Sequence, residues 1–239
     1  MRSYIYFVIS IPVYAVLYLF TAIIVLLCLF FSFLNMKKTV KGCIRFWAKG
    51  SFLLIGRKLR IHGIENFDKD KKYILLANHS SLFDIMAIMA FNPSVSWFGR
   101  ERLTKIPVFG RLLKSIDYIP MKTVNIRNTR EMIDQLIQNS KGVTIAIFPE
   151  GTRTIDGTIN KFRKGFIHVL RASELEILPV TLKGFYELKP KNRFSIKFNT
   201  KINVIIHKPI KNKYLADKDD HEIISELREV IESAYQKKE

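Results

Sequence analysis

The chain has 239 residues, enough for one sizeable domain with an appended segment. Its 39 Lys and Arg residues against 21 Asp and Glu give a formal net charge of +18. This charge favours acidic partners: nucleic acid, anionic lipid, acidic carrier proteins or phosphorylated small molecules. The two cysteines, Cys28 and Cys43, lack metal-ligand spacing and provide no disulfide framework, which is typical of a reducing compartment.

The first predicted element is an apolar N-terminal segment. No charged residue occurs from Ser3 to Met36, and this run exceeds the roughly 20 residues that a helix needs to cross a bilayer. A cleaved signal peptide is not expected, because the run is too long, only Arg2 precedes it, and no small-residue cleavage site follows. Pro12 could divide the run, so a tilted single span and a monotopic pair of buried helices both satisfy it. We therefore predict a hydrophobic membrane-anchoring helical segment.

A basic amphipathic segment follows, with cations on one side of a helix and apolar residues on the other. The two sides are formed by Lys38, Lys41, Arg45 and Lys49 and by Val40, Ile44, Trp47, Ala48 and Phe52. A solvated surface helix of a soluble domain is the alternative, but the position next to the anchor favours an anionic membrane surface. The excess of Lys and Arg after the apolar run places the main domain on the cytoplasmic side. We assign residues 1–57 to the anchor and this interfacial helix.

From residue 58 the pattern becomes that of an α/β domain. Six short apolar runs bounded by turn residues predict strands. They lie at residues 73–78, 95–99, 143–149, 177–184, 193–199 and 202–207. Helical patterns follow His79 and cover residues 126–139, 164–173 and 221–235. Because strands alternate with helices, residues 58–239 are predicted to form one sheet flanked by helices.

A histidine and an aspartate five residues apart, His79 and Asp84, lie in the segment "NHSSLFD". On one regular helix they would point about 140° apart, since each residue turns about 100°. The predicted strand ends before His79, and Ser80 or Ser81 is expected to cap the helix that follows. Asp84 then falls in the first helical turn, and the imidazole can turn back toward it. An aspartate that holds one ring nitrogen leaves the other free to take a proton from a hydroxyl, although an unconnected His and Asp is the structural alternative.

Two more polar segments follow predicted strands. In "FPEGTRT", Gly151 allows close backbone approach or a positive φ, and the guanidinium of Arg153 suits a phosphate. Lys164, farther along the same connection, adds positive charge, and Arg100 ends another predicted strand. Ordinary polar connections with unspecialised arginines are the structural alternative. Because parallel strands end at one edge of a sheet, we expect these groups near His79.

Four segments in order resemble the blocks of the glycerolipid acyltransferase family, above all its 1-acyl-sn-glycerol-3-phosphate acyltransferases. They are "NHSSLFD", "GRERL" with "IPVFG", "FPEGTRT" and "ILPV", within residues 73–184. The resemblance implies that His79 is the general base for the acceptor hydroxyl and that Asp84 orients it. It also implies direct attack of the alkoxide on an acyl thioester. No Gly-x-Ser-x-Gly nucleophile elbow is present, which agrees with the absence of a covalent acyl-enzyme.

The resemblance also implies the residues that bind the acceptor's glycerol phosphate. They are Arg100, Glu150, Gly151, Thr152, Arg153 and Lys164. Arg153 would contact the phosphate with help from Arg100, and Pro179 would shape the acyl-donor side. Relatives often carry an Asp-Arg pair where this chain reads "YIPMKTVN", in which Lys122 keeps a positive charge but the aspartate is missing. This departure bears on the identity of the acceptor.

The implied partners are acyl-CoA or acyl-carrier protein as donor, a lysophospholipid acceptor, and a bilayer with anionic lipids. No cofactor, metal or nucleic acid is expected. Within this interpretation, another lysophospholipid, a lyso-aminolipid or glycerol 3-phosphate could be the acceptor instead. Two alternatives come from other classes: a membrane-tethered module that binds anionic lipid without catalysis, and a metal-dependent hydrolase with His79, Asp84 and Glu150 as ligands.

Overall fold

The structure is a computed structural model that describes residues 2–106, 110, 113, 118–121 and 144–235. Seven strands lie in this part of the chain: Leu59–His62 (β1), Tyr73–Ala77 (β2), Val95–Arg100 (β3), Ile119–Met121 (β4), Thr144–Ile147 (β5), Glu176–Lys183 (β6) and Ile202–Ile206 (β7). They form one sheet in the order β1-β7-β6-β2-β5-β3-β4. Neighbouring strands are parallel except β6 and β7, so β2 to β6 end at the same edge of the sheet.

Helices cover both faces of the sheet. Within the described residues they are Arg2–Phe33 (α1), Lys37–Leu54 (α2), Phe83–Phe91 (α3), Gly165–Ala172 (α4), Phe185–Leu188 (α5), Asn212–Leu215 (α6) and Asp220–Tyr235 (α7). Short 3-10 turns occupy Ile64–Asn66 and Glu101–Lys105. The predicted α/β class, a sheet flanked by helices with an apolar N-terminal segment, is confirmed.

The central strand β2 divides its side chains between two hydrophobic clusters, because successive residues of a strand point to opposite faces. Tyr73, Leu75 and Ala77 pack in the cluster that contains α1, α2, α3 and α5. Ile74 and Leu76 pack in the cluster that contains α4, α6 and α7. All five residues of β2 are buried, so the functional loop that follows this strand has a rigid base.

The N-terminal helix α1 packs along its length against the rest of the molecule. Its Leu17, Ile24 and Cys28 share the first cluster with buried residues of α2. Nearer its start, Tyr14 Oη donates a hydrogen bond to Phe194 O at 2.8 Å, and Ser10 Oγ accepts one from the Ile196 N–H at 2.8 Å. The opposite side of α1 is apolar and exposed, and Tyr4–Phe33 is long and apolar enough to cross a membrane.

Most predicted elements are found within two residues of their predicted bounds, but the predicted strand 193–199 is wrong. This segment is irregular because its alternating apolar residues pack against α1 instead of pairing with a strand. Phe194 lies 5.3 Å from Phe7 between ring centroids, and Phe198 lies 6.1 Å from Tyr6. Ile196 is buried between them. The alternation therefore reflects a loop that packs under a helix.

Other differences concern element ends. The predicted serine cap is found in part: α3 begins at Phe83 with Leu82 at its N-cap position, one residue after Ser81, but Ser81 Oγ accepts the Phe83 N–H at 3.3 Å. Pro12 does not divide the apolar run, since α1 continues through it. Strands β1 and β4 were not predicted. The predicted helix 126–139 and Lys122 lie outside the described residues.

Candidate active site

The site centres on His79 and Asp84, which the structure brings together as the sequence predicted. His79 follows β2, and Asp84 lies in the first turn of α3. The two residues straddle the strand–helix junction, and His79 Nδ1 lies 2.9 Å from Asp84 Oδ2. Since this bond fixes Nδ1 as the donor to a carboxylate, Nε2 is the nitrogen left to act as a base.

Asp84 is held by the backbone of its own turn. Its Oδ2 also accepts the N–H groups of Ser80 at 2.6 Å and Ser81 at 2.7 Å. Complete burial raises the pKa of the Asp84 carboxyl, while the hydrogen bonds from His79, Ser81 and Ser80 lower it by stabilising the carboxylate. The carboxylate is therefore rigid and well placed to stabilise a positive charge on the imidazole.

The His79 ring is positioned on its flat side as well as at Nδ1. It stacks on Phe148 with 3.9 Å between centroids and 9° between planes, and Phe148 in turn stacks on Trp97 at 5.4 Å. The imidazole keeps 15% of its side-chain surface exposed, whereas Asp84 has none. No hydrogen bond to Nε2 occurs within the described part of the chain, so this nitrogen is free to meet a substrate.

Glu150 joins the loop after β5 to the His79 turn. Its Oε1 accepts the His79 N–H at 2.6 Å, and its Oε2 accepts the Asn160 N–H at 2.9 Å. A third bond, from the Thr154 N–H to His79 O at 2.9 Å, ties the same loops. The side chain is 2% exposed, and burial raises the pKa of the Glu150 carboxyl to about 7 although both backbone bonds lower it.

The remaining residues of "EGTR" follow Glu150, whose two hydrogen bonds to the His79 and Asn160 N–H groups form a brace between the loops. Gly151 adopts φ +70°, as its predicted role allowed, and a Cβ there would lie 3.0 Å from Arg163 Cδ. Thr152 is exposed and Arg153 half-buried on the same loop. No hydrogen bond or ion pair to Arg153 is formed by the described residues. Its guanidinium is therefore available for an anionic ligand.

The two other predicted binding residues are less central. The backbone of Arg100 ends β3 at the sheet edge that carries His79, while its side chain lies outside the described atoms. Lys164 is exposed immediately before α4, close enough to Asp219 and Asp220 for electrostatic attraction. The binding roles of Arg100, Glu150, Gly151, Thr152, Arg153 and Lys164 therefore stay predictions. Pro179 lies within β6.

Three contributors to the site were not predicted. Phe148 stacks on the imidazole, the Asn160 N–H binds Glu150 Oε2, and Lys189 lies beside the His79 turn with its carbonyl oxygen accepting a hydrogen bond from Ser81 Oγ at 2.7 Å. Phe148 lies inside "FPEGTRT", so a stacking role could have been considered. Asn160 and Lys189 contact the site only through long-range packing. No group of three metal-ligating side chains is found among the described residues, and Glu150 faces backbone N–H donors.

Comparison with known proteins identifies the family. A family model described as acyltransferase matches residues 58–183, more than half of the chain. The 1-acyl-sn-glycerol-3-phosphate acyltransferase of Borreliella burgdorferi is 31% identical over 178 residues, which are 74% of this chain and 67% of that protein. The chloroplastic 1-acyl-sn-glycerol-3-phosphate acyltransferase of Arabidopsis thaliana is 29% identical over 155 residues. That match covers 64% of this chain, which spans only 44% of the plant protein's length.

The fold gives the same answer as the sequence comparisons. The crystal structure of the 1-acyl-sn-glycerophosphate (LPA) acyltransferase PlsC from Thermotoga maritima matches with a TM-score of 0.80 and 29% identity. The match covers 99% of this chain and 98% of that one. The family predicted from the four sequence blocks is thereby confirmed, and the chain belongs to the acyltransferase family.

Proposed function

We propose that the protein is a 1-acyl-sn-glycerol-3-phosphate acyltransferase. It transfers an acyl group from a thioester donor, acyl-CoA or acyl-carrier protein, to the free hydroxyl of 1-acyl-sn-glycerol 3-phosphate and forms phosphatidic acid. The observation that carries this proposal is the bond of 2.9 Å between His79 Nδ1 and buried Asp84, with Nε2 open beside the "EGTR" loop. The Borreliella and Thermotoga relatives, whose names give 1-acyl-sn-glycerol 3-phosphate as the acceptor, support this choice.

The reaction follows from the protonation of the pair. His79 Nε2 takes the proton of the acceptor hydroxyl as the oxygen attacks the thioester carbonyl, and Asp84 stabilises the imidazolium that forms. The tetrahedral intermediate then collapses, its C–S bond breaks, and the imidazolium returns the proton to the leaving thiolate. One ester bond replaces one thioester bond, and no acyl-enzyme is formed.

The phosphate of the acceptor would be held by the cations of the site. Arg153 offers a planar fork with five N–H donors, and Arg100 ends β3, which lies next to β5 in the sheet. Glu150 does not contact the phosphate in this proposal. Its bonds to the His79 and Asn160 N–H groups hold the His79 turn against the "EGTR" loop.

We further propose that α1 and α2 lie in the cytoplasmic leaflet of the membrane and do not cross the bilayer. Residues 10 and 14 of α1 bond the 194–196 loop, while residues 17 to 28 pack on α2. A perpendicular span would carry that loop or the cationic helix α2 into hydrocarbon, where unpaired charge and backbone are costly. A shallow position leaves the apolar side of α1 in lipid and the cations of α2 near anionic headgroups.

Acyl transfer by the detergent-solubilised protein tests the function. Labelled acyl-CoA and acyl-carrier protein are supplied with lysophosphatidic acid, other lysolipids, a lyso-aminolipid and glycerol 3-phosphate in parallel. His79→Ala is compared with His168→Ala, which removes an exposed histidine remote from the pair. Phosphatidic acid formed by wild type and His168→Ala but lost in His79→Ala is the expected result.

Each other outcome changes a defined part of the proposal. Transfer only to a different acceptor keeps the mechanism and moves the substrate. Equal product from His79→Ala and wild type removes His79 as the base. If neither donor gives transfer to any acceptor, the proposed acyltransferase activity is wrong, and a membrane-tethered lipid-binding module is favoured.

A further inference from the structure

Two cationic side chains flank the turn that carries His79, and they come from loops on opposite sides of it. Thr154, next to Arg153, donates its N–H to His79 O at 2.9 Å. Lys189 is fixed on the other side, since its carbonyl oxygen accepts a hydrogen bond from Ser81 Oγ at 2.7 Å. Both loops therefore bond the same three-residue turn.

The two loops are also bonded to each other. Tyr186, in the short helix α5 that follows β6, donates from its Oη to Ile155 O at 2.8 Å, so the connection after β6 is bonded to the loop after β5. Arg193 braces the loop that carries Lys189 by donating to the carbonyl oxygens of Leu188 at 2.9 Å and Ser195 at 3.0 Å. These bonds fix the backbone on both sides of the turn without using the Lys189 ammonium.

The positive charge at this point has no carboxylate partner among the described residues. The Lys189 ammonium is half-buried and donates one hydrogen bond, to Pro190 O at 3.2 Å. Burial lowers the pKa of Lys189, and the positive charges of Arg153 and Arg193 lower it further. Neither Arg153 nor Lys189 forms an ion pair within the described part of the molecule. Half-buried charge of one sign is costly unless a ligand of the opposite sign completes the site.

We infer that Lys189 and Arg153 form a two-cation site for a substrate phosphate, with Lys189 contributed by the loop after β6. A phosphomonoester near neutral pH carries about −1.5 to −2 charge and three acceptor oxygens, which suits two cations from two directions. The inference rests on the proposed function and adds a residue that lies outside the four sequence blocks. Two substrates carry such a group: the lysophospholipid acceptor and the acyl donor.

Steady-state kinetics with each substrate varied in turn distinguish the two sources. Lys189→Met removes the ammonium but keeps an unbranched side chain, and Lys189→Arg keeps a cation. Lys191→Met is the matched control, because Lys191 is exposed on the same loop. We expect Lys189→Met to raise one KM by about ten-fold or more. Lys189→Arg should recover most of this loss, and Lys191→Met should stay close to wild type.

The substrate whose KM rises is the one whose phosphate binds at this site. A rise for lysophosphatidic acid alone assigns the site to the acceptor, and a rise for acyl-CoA alone assigns it to the donor. If Lys189→Met and Lys191→Met have the same KM values for both substrates, the inference is wrong. If Lys189→Arg fails as badly as Lys189→Met, the cation is not what matters, and the inference is equally wrong.

A binding measurement separates this inference from the proposed reaction. The shift in unfolding midpoint caused by sn-glycerol 3-phosphate, and in a parallel arm by coenzyme A, needs no turnover. At least one ligand should stabilise wild type and Lys191→Met clearly more than Lys189→Met. If a ligand stabilises wild type more than Lys189→Met but no acyl transfer is found, the proposed function is wrong and the phosphate site is retained. Equal stabilisation of all three proteins would overturn the phosphate site alone.

Discussion

Replacing Glu150 by glutamine tests the buried hydrogen bonds that join the His79 turn to the loop after β5. The carboxyl has a pKa of about 7 against an ordinary 4.5, because burial disfavours its charge. The folded state therefore holds a proton that the unfolded state releases over this window, and raising the pH favours unfolding. The stability contributed by the raised pKa is complete below 4.5 and is lost as pH rises through about 7.

The magnitude follows from the size of the shift. A difference of 2.5 pKa units (7 − 4.5) at 1.36 kcal/mol each corresponds to about 3 kcal/mol. Glutamine has no charge to desolvate, but its amide nitrogen cannot accept the N–H of His79 or Asn160, so one bond is lost at every pH. We therefore expect the stability advantage of wild type over Glu150→Gln to shrink by about 3 kcal/mol between about pH 4.5 and pH 8.

Thermal unfolding followed by circular dichroism in detergent measures this change. For a chain of this size 1 kcal/mol shifts the midpoint by about 2–4 °C, so the gap between wild type and variant should change by about 6–12 °C. Glu174→Gln is the control, because Glu174 is exposed and its difference from wild type should not vary in this way. A Glu150→Gln gap that is constant across the pH range would refute the argument.

Three further substitutions test the parts of the site. Asp84→Asn keeps an acceptor for the turn but gives the His79 imidazole no carboxylate, so we expect kcat to fall by about 10²-fold or more while KM changes little. Phe148→Leu removes the ring under the imidazole, and kcat should fall with a stability loss of about 1–2 kcal/mol, measured by chemical unfolding. Gly151→Ala places a Cβ at φ +70° and 3.0 Å from Arg163 Cδ, which should lower the unfolding midpoint through a cost of about 1–2 kcal/mol.

Each of these substitutions has a matched control in the chain. Asp70→Asn changes an exposed carboxylate and Phe46→Leu an exposed ring, and both should keep wild-type kcat. Gly42→Ala adds a Cβ with no atom within 4 Å in the middle of α2, so it should not destabilise the protein. Wild-type kcat in Asp84→Asn or Phe148→Leu, or equal midpoints for Gly151→Ala and Gly42→Ala, would contradict the assigned roles.

Features that depend on neighbouring residues were predicted well. The five-residue spacing of His79 and Asp84 works because a strand ends and a helix begins between them, and both events have local sequence signals. The predicted serine cap is met in part, since Ser81 Oγ accepts the Phe83 N–H at 3.3 Å although the helix begins one residue later than a cap at Ser81 implies. The Asp84 carboxylate accepts the Ser81 N–H in return, as in a capping box, and it also binds the imidazole.

Features that depend on contacts between distant segments were missed or mistaken. Residues 193–199 alternate like a strand, yet their apolar side chains face α1, a partner nearly 190 residues earlier in the chain. Lys189 and Asn160 reach the site by the same kind of long-range packing. The hydrophobic pattern of a segment predicts which of its residues are buried, but it does not predict which other segment they pack against.

The sequence by itself determined the strand ends, the His79–Asp84 pair, the glycine at the turn of "EGTR" and the apolar and basic N-terminal segments. Each depends on the intrinsic chemistry of a few adjacent residues. Only the tertiary structure decided that Glu150 braces the His79 turn, that α1 packs on the 194–196 loop, and that Lys189 stands opposite Arg153. The first and the last of these arrangements follow from the strand order, because β5 and β6 flank β2 in the sheet although both come much later in the chain.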